Sequence, residues 1–155
     1  MSKHAYDVVI VGGGLIGAAL AIALRDSGLA ILVLEARPDA GDSSDVRALA
    51  MSYGSRLILE RLGMWSQIEP VTPIEAIHVS QRGGFGRTLL SADEARLPAL
   101  GYVVRYARLQ QALGQAIESE HTALIAGVEV TAIDSTHEGV RIGFHRQASA
   151  QSATA

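Results

Sequence analysis

The 155-residue sequence predicts an α/β fold, a parallel sheet with helices to which β-hairpins are added. Near the N-terminus, an apolar strand, a glycine-rich turn, a helix and a second apolar strand follow one another within about 30 residues, the length of a βαβ unit. Further along, two pairs of short apolar runs each flank turn-forming residues, as in hairpins. The length suits one domain with its own core.

The βαβ unit opens with Tyr6–Val11, which is apolar throughout, as in a central strand covered on both faces. Strong helix formers fill Leu15–Ser27, and Gly28 lies where a C-terminal cap is expected. The second strand, Ala30–Leu34, ends at Glu35. Strands joined through a helix in this way must be parallel.

The later elements are predicted from the same patterns. They are a surface loop at Arg37–Asp45, a helix at Tyr53–Leu62 ended by Gly63, a hairpin of Ile74–Ser80 and Phe85–Ser91, a short apolar stretch at Tyr102–Val104, a helix near Leu109–Glu120, a third parallel strand at His121–Ala126, and a hairpin of Val128–Asp134 and Val140–His145. In the first of these helices, Leu57, Ile58 and Leu62 are spaced to share a face.

The C-terminal residues Gln147–Ala155 contain no large apolar residue, which fits a frayed tail or the start of a truncated strand. We therefore predict one domain over residues 1–146, with a hairpin insertion near 74–91, and a tail or truncated strand over 147–155. A parallel sheet that stops early would keep an unpaired edge, which favours pairing with a second copy as a homodimer.

Composition excludes several classes of function. There is no cysteine, so disulfides and thiolate metal sites are excluded, and the five histidines lack the spacing of a zinc site. A net charge of -3 with scattered basic residues does not favour nucleic-acid binding. The apolar run Val8–Leu24 is interrupted by three glycines, which argues against a membrane span or signal peptide. No catalytic constellation and no metal site is predicted.

The strongest motif is the GxGxxG formed by Gly12, Gly14 and Gly17, between the first strand and the helix. Such glycines permit the tight turn, the approach of a diphosphate, and close packing of helix on strand. The helix start, at Leu15 and Ile16, offers free N–H groups to the diphosphate. Glu35 follows Gly17 by 18 residues, where a carboxylate can accept hydrogen bonds from ribose. This Rossmann-like pattern suits FAD or NAD, and the residues alone leave these two open.

A family resemblance favours FAD. The segment from Asp7 to Ala36, DVVIVGGGLIGAALAIALRDSGLAILVLEA, resembles the FAD-binding start of the flavin-dependent aromatic hydroxylases. The RALA motif beginning at Arg47, the IHVSQRG motif beginning at Ile77 and the LGYVV motif beginning at Leu100 resemble the ubiquinone-biosynthesis branch. The likeness continues, in order, to about His145.

The resemblance implies an enzyme that binds FAD, takes electrons from NADPH or NADH, and uses O2 to hydroxylate a polyprenylated phenol. It also implies other ubiquinone-biosynthesis proteins as partners and a cytoplasmic location peripheral to the inner membrane. The family's later Asp-Gly and Gly-Asp motifs are expected beyond His145, so we expect an N-terminal portion that is inactive alone. Two alternatives remain: a non-catalytic dinucleotide-binding or oligomerising module, and another FAD or NAD oxidoreductase.

The site residues follow from the motif and the resemblance together. The predicted cofactor-binding residues are Gly12, Gly14, Leu15, Ile16, Gly17, Glu35, Ala36, Arg37, Arg47 and Val130. By resemblance, Arg47 approaches the flavin and its phosphate side, Arg37 adds a contact near the ribose, and Val130 lies on a strand beside the adenine. Arg105 and Tyr106 stand where relatives often have Glu-Asn, which places flavin contacts there in question.

Overall fold

The computed structural model describes residues 6–38, 45–137, 139–146 and 149–154. The chain divides into two compact units, here called unit 1 (Met1–Ser44 and Gln110–Ala155) and unit 2 (Asp45–Leu109). Unit 1 is therefore built from two stretches of sequence. Most of the predicted loop at Arg37–Asp45 lies outside the described residues.

Eleven strands and four α-helices are formed by the described residues. In chain order they are β1 (Val8–Val11), α1 (Leu15–Ala23), β2 (Ile31–Glu35), β3 (Ala48–Ser52), α2 (Tyr53–Arg61), β4 (Thr72–Ile74), β5 (Ala76–Ser80), β6 (Arg87–Ser91), α3 (Ala92–Ala95), β7 (Gly101–Arg105), α4 (Tyr106–Ala116), β8 (Thr122–Ala126), β9 (Val128–Thr136), β10 (Gly139–Arg146) and β11 (Ser149–Thr154). A short 3-10 helix at Trp65–Gln67 follows α2.

The parallel sheet of unit 1 has the strand order β1-β2-β8, with β2 in the centre. Both pairings are parallel, which confirms the predicted βαβ unit and third parallel strand. Every residue of β2 is buried, because this strand is hydrogen-bonded on both edges and covered on both faces. The carboxyl ends of β1 and β2 thus place the glycine turn and Glu35 side by side.

A second sheet of unit 1 is antiparallel, in the order β11-β10-β9. Its inner face packs on the parallel sheet in one hydrophobic cluster. The fully buried members of that cluster are Leu32, Leu34, Val128, Ile142 and Phe144. The predicted hairpin of β9 and β10 is confirmed, and residues 149–154 add a third strand to it.

Unit 2 contains the antiparallel sheet β3-β7-β4 and the separate hairpin of β5 and β6. Gly101 pairs with Ser52, and a Cβ at Gly101 would lie 2.2 Å from the Met51 carbonyl oxygen, so only glycine fits. Beside this sheet, the Arg56 guanidinium of α2 lies 5.5 Å from the ring centre of Trp65 and 5.8 Å from that of Tyr102.

The bounds of α1 and α4 differ from those predicted. Helix α1 ends at Ala23 rather than Ser27, because the Ser27 hydroxyl donates to the Leu24 carbonyl and stabilises a turn. Gly28, with φ +76°, follows that turn and is not the helix cap, which is Leu24. Helix α4 begins at Tyr106, three residues before the predicted start, and ends at Ala116, four residues before the predicted end.

The remaining differences lie in unit 2. Ile74 belongs to β4 and pairs with Gly101, so the hairpin strand starts only at Ala76. The predicted helical face is wrong, because Leu57 and Ile58 are exposed whereas Leu59 is buried. Strand β3 was not predicted.

No helix among the described residues is long and apolar enough to cross a membrane. The apolar run that begins at Val8 is divided, at Gly12–Gly14, into the short strand β1 and the nine-residue helix α1. This division agrees with the interpretation of the glycines as a turn.

Candidate functional site

The turn between β1 and α1 requires glycine at two positions. Gly12 has φ +102°, a conformation that L side chains rarely adopt, and its N–H donates to the Leu34 carbonyl at 2.7 Å. A Cβ at Gly17 would lie 1.9 Å from the Gly12 carbonyl oxygen. Any side chain at Gly17 would therefore push the helix away from the turn.

The N-terminus of α1 is open to an anion. Gly14 is the N-cap, and the first intrahelical bond runs from the Ala18 N–H to the Gly14 carbonyl at 2.8 Å. The N–H groups of Leu15, Ile16 and Gly17 precede that bond and have no partner within the helix. The first turn holds no acidic residue, so the positive end of the helix dipole is not neutralised there. A diphosphate fits this position.

Glu35 is buried at the end of β2 and is held by two neighbouring segments. Its Oε2 accepts a hydrogen bond from the Gly13 N–H at 2.7 Å. Its Oε1 accepts from both the backbone N–H and the Nε of Arg37, each at 3.0 Å. A carboxylate offers about four lone-pair sites, so one remains for a ribose hydroxyl.

These contacts keep Glu35 ionised. Burial raises the pKa of the carboxyl, but the hydrogen bonds from Arg37 and Gly13, with the Arg37 charge, outweigh it and lower the pKa overall. An ionised, oriented carboxylate is an acceptor for hydroxyl groups and repels a phosphate on the ribose.

The other predicted residues of unit 1 differ in their surroundings. Arg37 is half-exposed, and its guanidinium lies 3.9 Å from the position a Cβ at Gly14 would occupy, close to the turn. Ala36 is exposed beside Arg37. Val130 is partly buried on β9 and packs against the shared hydrophobic cluster. The turn, Glu35, Ala36 and Arg37 thus form one continuous site.

Arg47 lies in unit 2, just before β3. Its guanidinium pairs with both carboxylate oxygens of Asp45, with Nε at 2.9 Å and 3.0 Å, and lies 4.5 Å from the ring centre of Tyr106. The hydrogen bond to Arg47 lowers the pKa of Asp45, and the same pair raises the pKa of Arg47. Its assignment to the flavin stays a prediction based on the resemblance.

Sequence reasoning missed some partners of the predicted residues. The bond from Gly13 to Glu35 joins residues 22 positions apart, and nothing in the local pattern indicates it. The pairing of Arg47 with Asp45 had a local signal, since two residues of opposite charge are two positions apart. Tyr106, which departs from the family pattern, has its ring against the Arg47 guanidinium.

The arrangement in unit 1 can bind the adenosine diphosphate part of a dinucleotide. The glycines leave space for a close backbone approach, the helix start supplies N–H donors, and Glu35 supplies an acceptor at the ribose position. FAD contains this group, and the residues present fit it.

Known proteins share this sequence pattern and this fold. The family model described as FAD binding domain matches residues 5–154. The chain is 36% identical over 125 residues to 3-demethoxyubiquinol 3-hydroxylase of Escherichia coli, covering 77% of this chain and 32% of that protein. It is 30% identical over 142 residues to ubiquinone hydroxylase UbiL of Rhodospirillum rubrum, covering 86% of this chain and 32% of that protein.

A solved structure shows the same fold. p-Nitrophenol 4-monooxygenase PnpA of Pseudomonas putida superposes with a TM-score of 0.79 at 20% identity, covering 99% of this chain and 40% of that one. The chain therefore spans about a third of the length of the relatives it matches.

Proposed function

Because the chain belongs to the FAD binding domain family, we propose that it binds FAD within a monooxygenase that hydroxylates a polyprenylated phenol in ubiquinone biosynthesis. The observation that carries this proposal is the joined arrangement of the open α1 N-terminus and the oriented carboxylate of Glu35. FAD is the cofactor of the family and supplies the redox chemistry with O2 when it is bound.

The chain's own residues bind and orient the adenosine end of the cofactor. The N–H groups of Leu15, Ile16 and Gly17 donate to the diphosphate, and Glu35 accepts from the ribose. Arg37 holds Glu35 in place, since two of the bonds to Oε1 come from it. Val130 contacts the adenine, an assignment supported by the resemblance alone.

The substrate class and electron donor rest on similarity. The motifs around Arg47 and Ile77 resemble those of 2-octaprenyl-6-methoxyphenol hydroxylase, which supports a phenol with a polyprenyl tail. NADPH or NADH as electron donor, pathway proteins as partners and a cytoplasmic location at the inner membrane surface follow from the same resemblance. A longer protein containing this chain should consume O2 with NADPH when such a phenol is added, and no stimulation would contradict the proposal.

Cofactor choice is tested by calorimetric titration of the 155-residue chain with FAD, ADP and NAD. We expect measurable binding of FAD and ADP, with FAD at least as tight. Glu35→Gln should weaken both about tenfold, because a charged acceptor at the ribose is lost. The matched control Glu129→Gln, exposed on β9, should leave both unchanged. Tighter binding of NAD than of FAD would favour a different oxidoreductase.

A second candidate is a non-catalytic module that pairs through the sheet edge. Among the strands that the structure describes, β1 pairs only with β2, so its outer edge carries no partner strand. This role predicts a dimer in sedimentation velocity at high concentration. A monomer that still binds FAD would contradict it and support the first proposal.

A further inference from the structure

The Glu35 carboxylate is oriented by the main chain just beyond β2. Its Oε1 accepts from the backbone N–H and from the Nε of Arg37, each at 3.0 Å. A side-chain donor can rotate to follow its partner, whereas a backbone donor is fixed with the chain that carries it. The direction of the Glu35 carboxylate therefore depends on where the Arg37 main chain is held.

The Arg37 main chain is held by a residue that lies far away in the sequence. The Gly127 N–H donates to the Arg37 carbonyl oxygen at 3.2 Å. Gly127 joins β8 to β9, and it reaches this place because Ala126, the last residue of β8, pairs with Glu35. Gly127, Arg37 and Glu35 thus form a chain of hydrogen bonds that ends at the ribose position, and all three lie in unit 1.

Position 127 favours glycine because of its backbone conformation. Gly127 has φ +71°, which L side chains rarely adopt and β-branched side chains adopt least of all. Space is not the reason, since an added Cβ would lie 3.7 Å from the Pro38 Cα, an ordinary contact. The next residue, Val128, is anchored in the hydrophobic cluster, so a change of φ falls on the peptide group that carries the N–H. A β-branched side chain at position 127 would therefore turn this N–H away from Arg37.

We propose that Gly127 is a positioning residue for the ribose of the cofactor, acting through the Arg37 main chain on the Glu35 carboxylate. Three hydrogen bonds, from Gly13 and Arg37, already occupy that carboxylate and leave about one acceptor site for a hydroxyl group. With one site left, the direction of the carboxylate decides whether the hydroxyl is bound. The inference rests on the proposed binding of adenosine diphosphate in unit 1, and it adds a residue far from the glycine motif in sequence.

The pKa of Glu35 tests this link without any ligand. Burial raises that pKa and the hydrogen bonds from Arg37 lower it, so loosening Arg37 should raise it. We expect an NMR titration of the side-chain carboxyl carbons to give a higher pKa for Glu35 in Gly127→Val than in the unmodified chain. Gly127→Asn should keep the unmodified value, because asparagine tolerates a positive φ. An unchanged pKa in folded Gly127→Val would overturn the proposal.

The matched control is Gly28→Val, at the opposite end of β2. Gly28 has φ +76° and no atom within 4 Å of an added Cβ, so valine meets the same backbone strain there. We expect a similar loss of Tm from both valine variants and a changed Glu35 pKa only from Gly127→Val. Gly127→Ala, a milder change, should move the pKa in the same direction and replaces valine if that variant does not fold. An equal rise of the Glu35 pKa in Gly28→Val would indicate a general loss of structure and contradict the proposal.

Calorimetry relates the link to the ribose. Gly127→Val should bind ADP about fivefold more weakly, whereas binding of dideoxy-ADP, which lacks both ribose hydroxyls, should not change. In the Glu35→Gln background, Gly127→Val should weaken ADP binding no further, because the carboxylate that it orients is gone; additive losses would refute the proposal. If the unmodified chain binds no ADP while the Glu35 pKa still rises in Gly127→Val, the proposed function fails and the orienting role of Gly127 stands.

Discussion

The Glu35 carboxylate holds two segments together by hydrogen bonds and keeps one acceptor site for a ligand. It accepts from Gly13 on one side and from Arg37 on the other, so the turn and the end of β2 are held in register. Its lowered pKa follows from these donors. A residue predicted only as a ribose acceptor is therefore also part of what shapes the diphosphate turn.

The stability of the chain should depend on pH through this group. Because the folded pKa of Glu35 is lowered from about 4.5, its stabilising contribution is present above that pH and is lost as the pH falls through the lower folded value. Thermal unfolding should therefore show a steeper loss of Tm below about pH 4.5 than Glu35→Gln shows. Equal slopes for the two proteins would contradict the assignment, and Glu129→Gln provides the control.

Gly17 is the position at which a single methyl group should matter most. Gly17→Ala places a Cβ 1.9 Å from the Gly12 carbonyl oxygen, so the helix must move away from the turn. We expect FAD and ADP binding to fall at least tenfold, as three aligned N–H donors are displaced. Calorimetry measures this, and circular dichroism verifies folding.

The matched control is Gly54→Ala in α2. There the nearest atom to an added Cβ is the Ser52 hydroxyl at 3.6 Å, which is ordinary contact. Alanine should be tolerated, with stability unchanged or raised by up to about 1 kcal/mol. Unchanged ligand binding by Gly17→Ala would show that the turn does not hold the diphosphate.

At the scale of elements, an arginine that lies among aromatic rings stabilises the position of helix α2. The guanidinium of Arg56 lies 5.6 Å from the ring centre of Tyr53 and close to those of Trp65 and Tyr102, which meet edge to face at 4.9 Å. Its ion pair with Glu60 spans one helical turn. Cation–π contacts and packing of the side-chain stem together attach the helix to β7.

Arg56→Leu should destabilise unit 2. Loss of the cation–π contacts is expected to cost about 1–2 kcal/mol in the free energy of unfolding, measured by urea denaturation. Trp65, the sole tryptophan, should report the change directly through its emission. Arg61→Leu, on the same helix but exposed, should cost less than about 0.5 kcal/mol. Equal effects of the two substitutions would contradict a stabilising role for the cation–π contacts of Arg56.

The elements that the sequence predicted best are those with local signals. The βαβ unit was predicted because its apolar runs and glycine spacing lie within one stretch, and so was the hairpin of β9 and β10. Strand β3 was missed because ALAMS has no β-branched residue, and the strand exists through its pairing with β7, which is distant in sequence. The buried face of α2 was predicted wrongly for the same reason, because the burial of Leu59 depends on the elements that pack against this helix and not on the local sequence.

For the molecule as a whole, cofactor binding should raise the free energy of unfolding. A ligand that binds only the folded chain at one hundred times its Kd stabilises it by about 2.7 kcal/mol. Saturating FAD should therefore raise the Tm of the 155-residue chain by several degrees, followed by circular dichroism. Glu35→Gln at the same FAD concentration should show a smaller shift. No shift in the unmodified chain would mean that the site of unit 1 does not bind FAD alone.

The discontinuous sequence of unit 1 has a consequence for its synthesis. Strand β2 is buried in full, yet its second neighbour, β8, is translated only later. Translation proceeds at roughly 5–20 residues per second, so synthesis of the roughly 90 residues between β2 and β8 takes several seconds. During that interval the nascent chain presents an apolar strand with one open edge. We expect newly made protein to depend on holding chaperones at this stage, and variants that slow translation of residues 45–109 to aggregate more.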